Sequence, residues 1–459
     1  MRISRVVLAG ALVALAAAAQ AQAPEPLEAA GQPAPEASPS PRRWSIHAEV
    51  KTHFRHSSLE QIRLRFPFPP DFIRPGEDGV FLRSVSPGSS LEVSNAALSA
   101  EAQLPADIQA RVKVHFLDLY NRNPTSSDDR VFLREAWLRF GPRYGPLEPI
   151  QGTSLYLLAG KAPRFSKQLE RRLESYGLWG TAVGRFEEVQ LELGGTLGRH
   201  VYWRAQLGNP NPLFFRDPNA LAGDNGTPER VPGNVHPIYE SGFPILYDAK
   251  AADSNLFKGK LQLGGGVGAS FVSEEGHRGI DVLGWYFQRD LQDEVPIRGS
   301  FYFGDLRLLQ EFAPLGIAFD VHGRRKQEYG LNLQGRLSGL RAFGQYVRQD
   351  IAGLERHGFE VEAGYRFELG GLLLAGDSPV FNWVEPVARV SRIKNDFFTP
   401  RTYPALSVGW DWTKYDFGLR LGILPEVDFT AEYSRNDAEL FLGGKLHPDE
   451  LLLTLRVGF

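Results

Sequence analysis

The chain has no cysteine and a single methionine. The first absence excludes disulfides, thiolate metal sites and a cysteine nucleophile. Small secreted domains lean on disulfides, so 459 residues without one imply a large fold that needs none. An excess of either charge is missing too: 51 basic residues stand against 54 acidic ones, a formal net charge of −3. That balance offers no basic footprint for nucleic acid. The HExxH and GxSxG patterns are absent and the histidines are scattered. The expectation is therefore a protein without enzymatic activity or cofactor.

Nor is there an apolar run long enough for a permanent membrane helix. The apolar stretch at residues 6–19 follows Arg2 and Arg5 and leads into Ala19, Gln20 and Ala21. This is the pattern of a signal peptide cleaved near Ala21, so residues 1–21 are expected to direct export. Their removal leaves 49 basic against 54 acidic residues, a net charge of −5. Residues 22–42 are rich in Pro, Ala and Glu and are expected to form a flexible periplasmic leader. Residues 43–459 read as one domain.

From Trp44 onward, what is present is alternation. In WSIHAEVKTHF, Trp44, Ile46, Ala48, Val50 and Phe54 share one face, opposite His47, Glu49, Lys51 and His53. IQARVKVHF sets Ile108, Ala110, Val112, Val114 and Phe116 against Gln109, Arg111, Lys113 and His115. Strands of about ten residues with an apolar face edged by aromatics have the length to cross a bilayer at a tilt. The charged face must then meet water, and a closed barrel satisfies both faces without an open edge. The predicted fold is an all-β, transmembrane, antiparallel up-and-down β-barrel.

Strand starts fall near residues 43, 92, 107, 130, 153, 185, 199, 257, 280, 299, 315, 328, 340, 357, 380, 410, 427 and 450. They give about eighteen strands, with sixteen the nearest competing count. With both ends periplasmic, the long segments 55–91, 162–184, 209–254, 394–409 and 437–449 lie outside. The opposite end receives tight connections, apart from 141–152 and 371–378. The expected location is the bacterial outer membrane, with the lipid bilayer and lipopolysaccharide as surroundings.

The final residues LLLTLRVGF alternate Leu451, Leu453, Leu455, Val457 and Phe459 and stop on the aromatic. They resemble the closing strand of bacterial outer-membrane proteins, which implies that Leu455, Val457 and Phe459 carry the signal read by the barrel-assembly machinery. With WVEPVARVSRI at 383–393 and ILPEVDFTAEYSRND at 423–437, the closing third resembles the phosphate-selective (polyphosphate) porins. A dense arginine ladder and a coiled-coil leader, however, are not found. The resemblance implies a homotrimeric porin passing small hydrophilic solutes, anions among them, by passive diffusion. The alternatives are a non-diffusive barrel that exports a polymer or binds through its external loops, and an outer-membrane hydrolase with a Ser/His or Asp/His pair drawn from separate strands.

One segment departs from the alternation. In RFSKQLERRLESYG, residues 164–177, Phe165, Leu169, Leu173 and Tyr176 recur at helical spacing, with Ser166 as N-cap and Gly177 as C-terminal stop. It falls in the third external loop, which in porins folds into the barrel and forms the constriction. The expectation is a short helix whose Arg164, Lys167, Arg171 and Arg172, tempered by Glu170 and Glu174, face the passage and set solute selectivity. A helix that merely caps the external mouth is the competing expectation. The expected lumen-lining cations are Lys51, Arg111, Lys113, Arg204, Lys260, Arg336, Arg366, Arg389 and Arg420. Inward acids nearly balance them.

Two further patterns are weaker. GGGVGA at 264–269 matches a dinucleotide fingerprint, but it lies in a strand with no helix after it. Its glycines are expected to thin the wall where a loop packs against it. Asp217, Asn219 and Asp224 are hard oxygen ligands of the calcium type, although their spacing is not that of an EF-hand. A solvated turn cluster is the better account of them.

Overall fold

A computed structural model describes residues 44–459, except 59–60, 65–74, 79, 84–87, 117–130, 169–170, 176, 180–186, 210–213, 217–243, 249–260, 291–296, 299–324, 352, 376–377, 397–410 and 440–444. The expected signal peptide, the leader and the calcium candidates Asp217, Asn219 and Asp224 lie outside the described residues, as do Lys260 and Glu170.

Sixteen long strands build the wall. They are β1 (Trp44–Ser57), β2 (Gly88–Leu104), β3 (Ile108–Phe116), β4 (Val131–Phe140), β5 (Ser154–Ala162), β6 (Glu188–Leu197), β7 (Val201–Asn209) and β8 (Gln262–Val272). They continue with β9 (Arg278–Asp290), β10 (Arg325–Leu337), β11 (Leu340–Ile351), β12 (Leu354–Tyr365), β13 (Trp383–Asn395), β14 (Asp411–Leu424), β15 (Val427–Glu439) and β16 (Asp449–Gly458). Each pairs antiparallel with its sequence neighbours, and β16 pairs with β1 from Glu49↔Gly458 to Ser57↔Glu450, so the sheet closes on itself. Two two-residue segments, Phe367–Glu368 and Lys445–Leu446, bring the sheet to eighteen.

The strands expected near 299 and 315 fall on residues 299–324, which lie outside the described residues. Asp290 of β9 stands directly opposite Arg325 of β10.

The connections are lopsided. At one end, here the turn end, β10 and β11 are joined by Ser338 and Gly339 alone, with Ser338 at a φ of 53°. Pro425 and Glu426 alone join β14 to β15. The long connections gather at the loop end. The first carries a hairpin, Gln61–Leu64 with Val80–Arg83. Within 209–254, Phe214–Arg216 pairs with Pro244–Asp248, and Ile297–Arg298 adds a third strand.

Burial is inverted relative to a water-soluble protein. Leu155, Val267 and Phe271 point outward and are 59–63% exposed, whereas the inward Glu192, Asp416, Lys414 and Arg389 are at most 2% exposed. An apolar exterior and a charged interior are the two faces of a membrane-spanning barrel.

Candidate functional site: the lined interior and its internal loop

The site begins where β5 ends. The described residues that follow, 163–168, 171–175 and 177–179, do not leave the barrel but turn into it. Leu173, Leu178 and Trp179 are at most 1% exposed, and Phe165 is nearly as buried. Among the described residues the stretch 164–175 is not helical: 165–167 and 172–175 are turns and bends, and helix is found only at Leu178 and Trp179.

The reason lies in where the backbone donors go. A helix needs its N–H groups for carbonyls four residues back. Here the N–H of Arg172 donates to Glu362 Oε1 at 3.1 Å, that of Ser175 to Glu432 Oε2 at 3.0 Å, and that of Leu178 to Ser391 Oγ at 3.2 Å. Glu174 N–H also donates to Glu432. The Ser166 carbonyl accepts from Asn332 Nδ2 at 2.9 Å and Gln345 Nε2 at 3.1 Å. Wall side chains have taken the place of helical partners.

The loop's side chains seat on wall glycines. A Cβ on Gly266 of β8 would come within 2.9 Å of the Phe165 ring, and one on Gly358 within 2.7 Å of Trp179 Nε1. Leu173 lies over Gly418, and Arg172 over Gly364. The glycine run 264–269 therefore does what its strand context predicts: Gly264, Gly266 and Gly268 leave inner-face room for Phe287, Phe165 and Tyr202.

Ion pairs fix the loop's charges. Arg164 meets Glu328 at 2.8 Å and Glu188 at 3.9 Å, and stacks 3.9 Å above the Phe287 ring. Burial alone would depress the Arg164 pKa, but the two carboxylates outweigh it and raise it. Arg172 meets Glu385 at 3.2 Å and Glu362 at 3.4 Å. Lys167 lies 3.0 Å from Glu187. Glu174 receives Lys51 of β1 at 2.9 Å, and Arg171 acts on that same carboxylate. Thus Arg164 and Arg172 turn to the wall rather than to the open interior, while Lys167, Arg171 and Glu174 stay on the loop's free edge.

The Lys51–Glu174 bridge gives the interior its shape. Anchored on β8–β15 and tied across to β1, the loop fills one side. Along β16 and β1–β4, solvent reaches the inner side chains of Glu49, Glu101, Arg111 and Arg456, which are 27–33% exposed. Lys51, Arg111, Lys113, Arg204, Arg336, Arg366, Arg389 and Arg420 share the face of the wall opposite its exposed apolar side chains. Arg389 is held by Asp416 at 2.9 Å and donates to Ser175 Oγ at 2.8 Å. Among the described residues no group of His, Asp and Glu could hold a metal ion.

Sequence reasoning missed a second inward segment. Residues 141–153, at the turn end, fold back over β5–β9. Arg143 pairs with Glu192 at 3.0 Å, Tyr144 donates to Asp281 at 2.7 Å, and Arg204 donates to the Tyr144 carbonyl at 2.8 Å. The signal was its length, a dozen residues among tight turns. Also missed were Glu328, Glu362 and Glu432 as seats for the loop. At the closing seam, the backbones of Phe459 and Ala48 exchange hydrogen bonds, and Leu455 and the Phe459 side chain face outward.

No family model matches the chain, and no curated protein does. Solved structures do. OprB of Pseudomonas putida aligns over 91% of this chain and 94% of its own, with a TM-score of 0.53 at 11% identity. The outer membrane channel DcaP of Acinetobacter baumannii aligns over 91% and 97%, with a TM-score of 0.49 at 10% identity. The anion-selective porin from Comamonas acidovorans aligns over 91% and 99%, with a TM-score of 0.44 at 9% identity. What the chain shares with OprB is the fold: a closed antiparallel barrel.

Proposed function

We propose that this protein is a bacterial outer-membrane porin, a passive channel for small hydrophilic solutes. The carrying observation is the internal loop, fastened to β8–β15 and bridged to β1, which leaves a hydrated charged face along β16 and β1–β4. Transport of this kind asks no chemistry of the wall. Pore radius and the placement of charge select the solute. The signal peptide delivers the chain to the outer membrane, the barrel-assembly machinery reads Phe459, lipopolysaccharide surrounds the loop end, and three copies associate.

The passage favours anions. Among the described residues, the inner cations Lys113 and Arg139 have no carboxylate within ion-pair distance and stay partly exposed. The inner carboxylate of Asp281 is engaged by neutral donors, the hydroxyls of Tyr144 and Tyr202. The uncompensated field is therefore positive where solvent reaches it. The finer reading, a phosphate preference, rests on the sequence resemblance alone.

Planar-bilayer recording tests this. Stepwise ohmic conductance is expected, with a reversal potential in a KCl gradient on the anion side and Lys113→Glu moving it towards cations. A folded barrel that never conducts sinks the channel reading in favour of export or surface binding.

A further inference from the structure

One connection at the turn end is out of proportion to its task. Ser338 and Gly339 suffice to join β10 to β11, and Pro425 and Glu426 to join β14 to β15, whereas β12 and β13 are linked through residues 366–382. Past the segment Phe367–Glu368, this link forms a hairpin of its own, Leu373–Ala375 paired with Ser378–Val380. Its root is fastened to the wall. The N–H of Leu369 donates to the Asn382 carbonyl at 2.7 Å, that of Asn382 to the Gly422 carbonyl at 2.8 Å, and that of Phe381 to the Ile423 carbonyl at 2.9 Å. Gly370, Gly371 and Phe381 have φ of 68°, 76° and 63°, left-handed values that interrupt the extended run and let the hairpin leave the line of β12 and β13.

This hairpin is apolar where the other connections are polar. Leu372, Leu373 and Leu374 are 65%, 60% and 75% exposed. Residues 369–382 hold a single charge, Asp377, and no lysine or arginine. Consecutive residues of an extended chain face opposite sides, so the three leucines bare both sides of the hairpin. A flat protein surface covers one side only; immersion in an apolar medium covers both.

Such a medium adjoins the root. Tyr365 of β12 and Phe367 are exposed, with ring centroids 4.5 Å apart. Outward aromatics near a strand end mark the bilayer interface. Leu340 of β11 stands opposite Tyr365, and Leu337 of β10 opposite Leu340, both of them exposed. The hairpin therefore springs from the margin of the lipid-facing wall.

We propose that this hairpin is a membrane foot: its leucines enter the periplasmic leaflet of the outer membrane beside the barrel and hold the turn end to it. The absence of basic residues fits acyl chains beneath zwitterionic headgroups rather than an anionic surface. Entry to a depth of about 5–10 Å, as for interfacial helices, keeps the two strand edges within reach of headgroup water. The foot rests on the outer-membrane barrel reading for the leaflet it enters, and it is independent of conduction.

Depth-resolved fluorescence tests it. The chain has no cysteine, so Leu373→Cys and Leu374→Cys each give the full mature chain a single site for an environment-sensitive dye. Both side chains are exposed, so folding should survive, and heat-modifiable migration on gels checks it. Leu419→Cys, on the outer face of β14, and Glu426→Cys, in a polar turn, serve as lipid and water references. In phosphatidylcholine vesicles the dyes at 373 and 374 are both expected to emit to the blue of the dye at 426. Both should lose emission to nitroxide-labelled acyl chains as the dye at 419 does, and resist aqueous iodide. Dyes at 373 and 374 that behave like the one at 426, or a lipid response from only one of the two, overturn the proposal. Cross-linking of Leu374→Cys between copies, with the site shielded from nitroxide, assigns the hairpin to a second copy and overturns it as well. A reference dye at 419 that does not sense lipid overturns the membrane-barrel reading, and the foot with it.

Discussion

Glu174 sits where burial alone would raise its carboxyl, yet the charges of Lys51 and Arg171, with the Lys51 hydrogen bond, outweigh burial and hold it at about 2 against the usual 4.5. A depressed carboxylate stabilises the state that contains it at pH above its ordinary value, and that stabilisation is lost as pH falls. For Glu174 the loss runs from pH 4.5 down through about 2. Because this bridge ties the loop to β1, acid should loosen the constriction. Conductance or open-channel noise is expected to rise as pH drops through that window, and Lys51→Gln should show the acid phenotype already at pH 7. Identical titrations of Lys51→Gln and wild type would mean that the bridge holds nothing. The direction in which each charge points was poorly legible from sequence. Arg164 and Arg172 meet Glu328, Glu362 and Glu385, more than 160 residues downstream, and no local pattern encodes such partners.

At the scale of elements, the strands and the inward loop were legible and the helix was not. A wall strand alternates because its two faces meet different media, so period two survives in the sequence. The loop's three-to-four spacing has another origin. Phe165 and Leu173 are apolar because Gly266 and Gly418 offer them seats, and the intervening backbone donors are captured by acids. Helical periodicity thus records docking sites rather than hydrogen bonding. The seats make a prediction. Gly266→Leu should expel Phe165, forfeiting about 2 kcal/mol of aromatic burial, and widen the passage. A unit conductance larger than wild type, with unchanged barrel content by circular dichroism, is the expected outcome; an unchanged conductance would show that the ring is not what holds the loop.

For the molecule as a whole, sealing is uneven. The β5–β9 side is covered from the loop end by residues 163–167 and from the turn end by residues 141–149, through Arg143–Glu192 and Tyr144–Asp281. Among the described residues the β1–β4 side has neither cover. Replacing 141–152 by a two-residue turn should add conductance, and should do so most when applied voltage drives solute in from the turn end. A symmetric current–voltage curve of unchanged slope would confine that segment to a structural role.

The seam between β1 and β16 has a consequence for how the molecule comes into being. Ala48 of β1 and Phe459, directly after β16, are hydrogen-bonded partners, so the seam joins the first wall strand to be synthesised to the last. Until that final aromatic emerges, every shorter chain is an open sheet with two unsatisfied margins, and such margins have no stable place in hydrocarbon. The fold therefore cannot mature from its N-terminus during synthesis. Loss of β16 should abolish the barrel rather than shorten it.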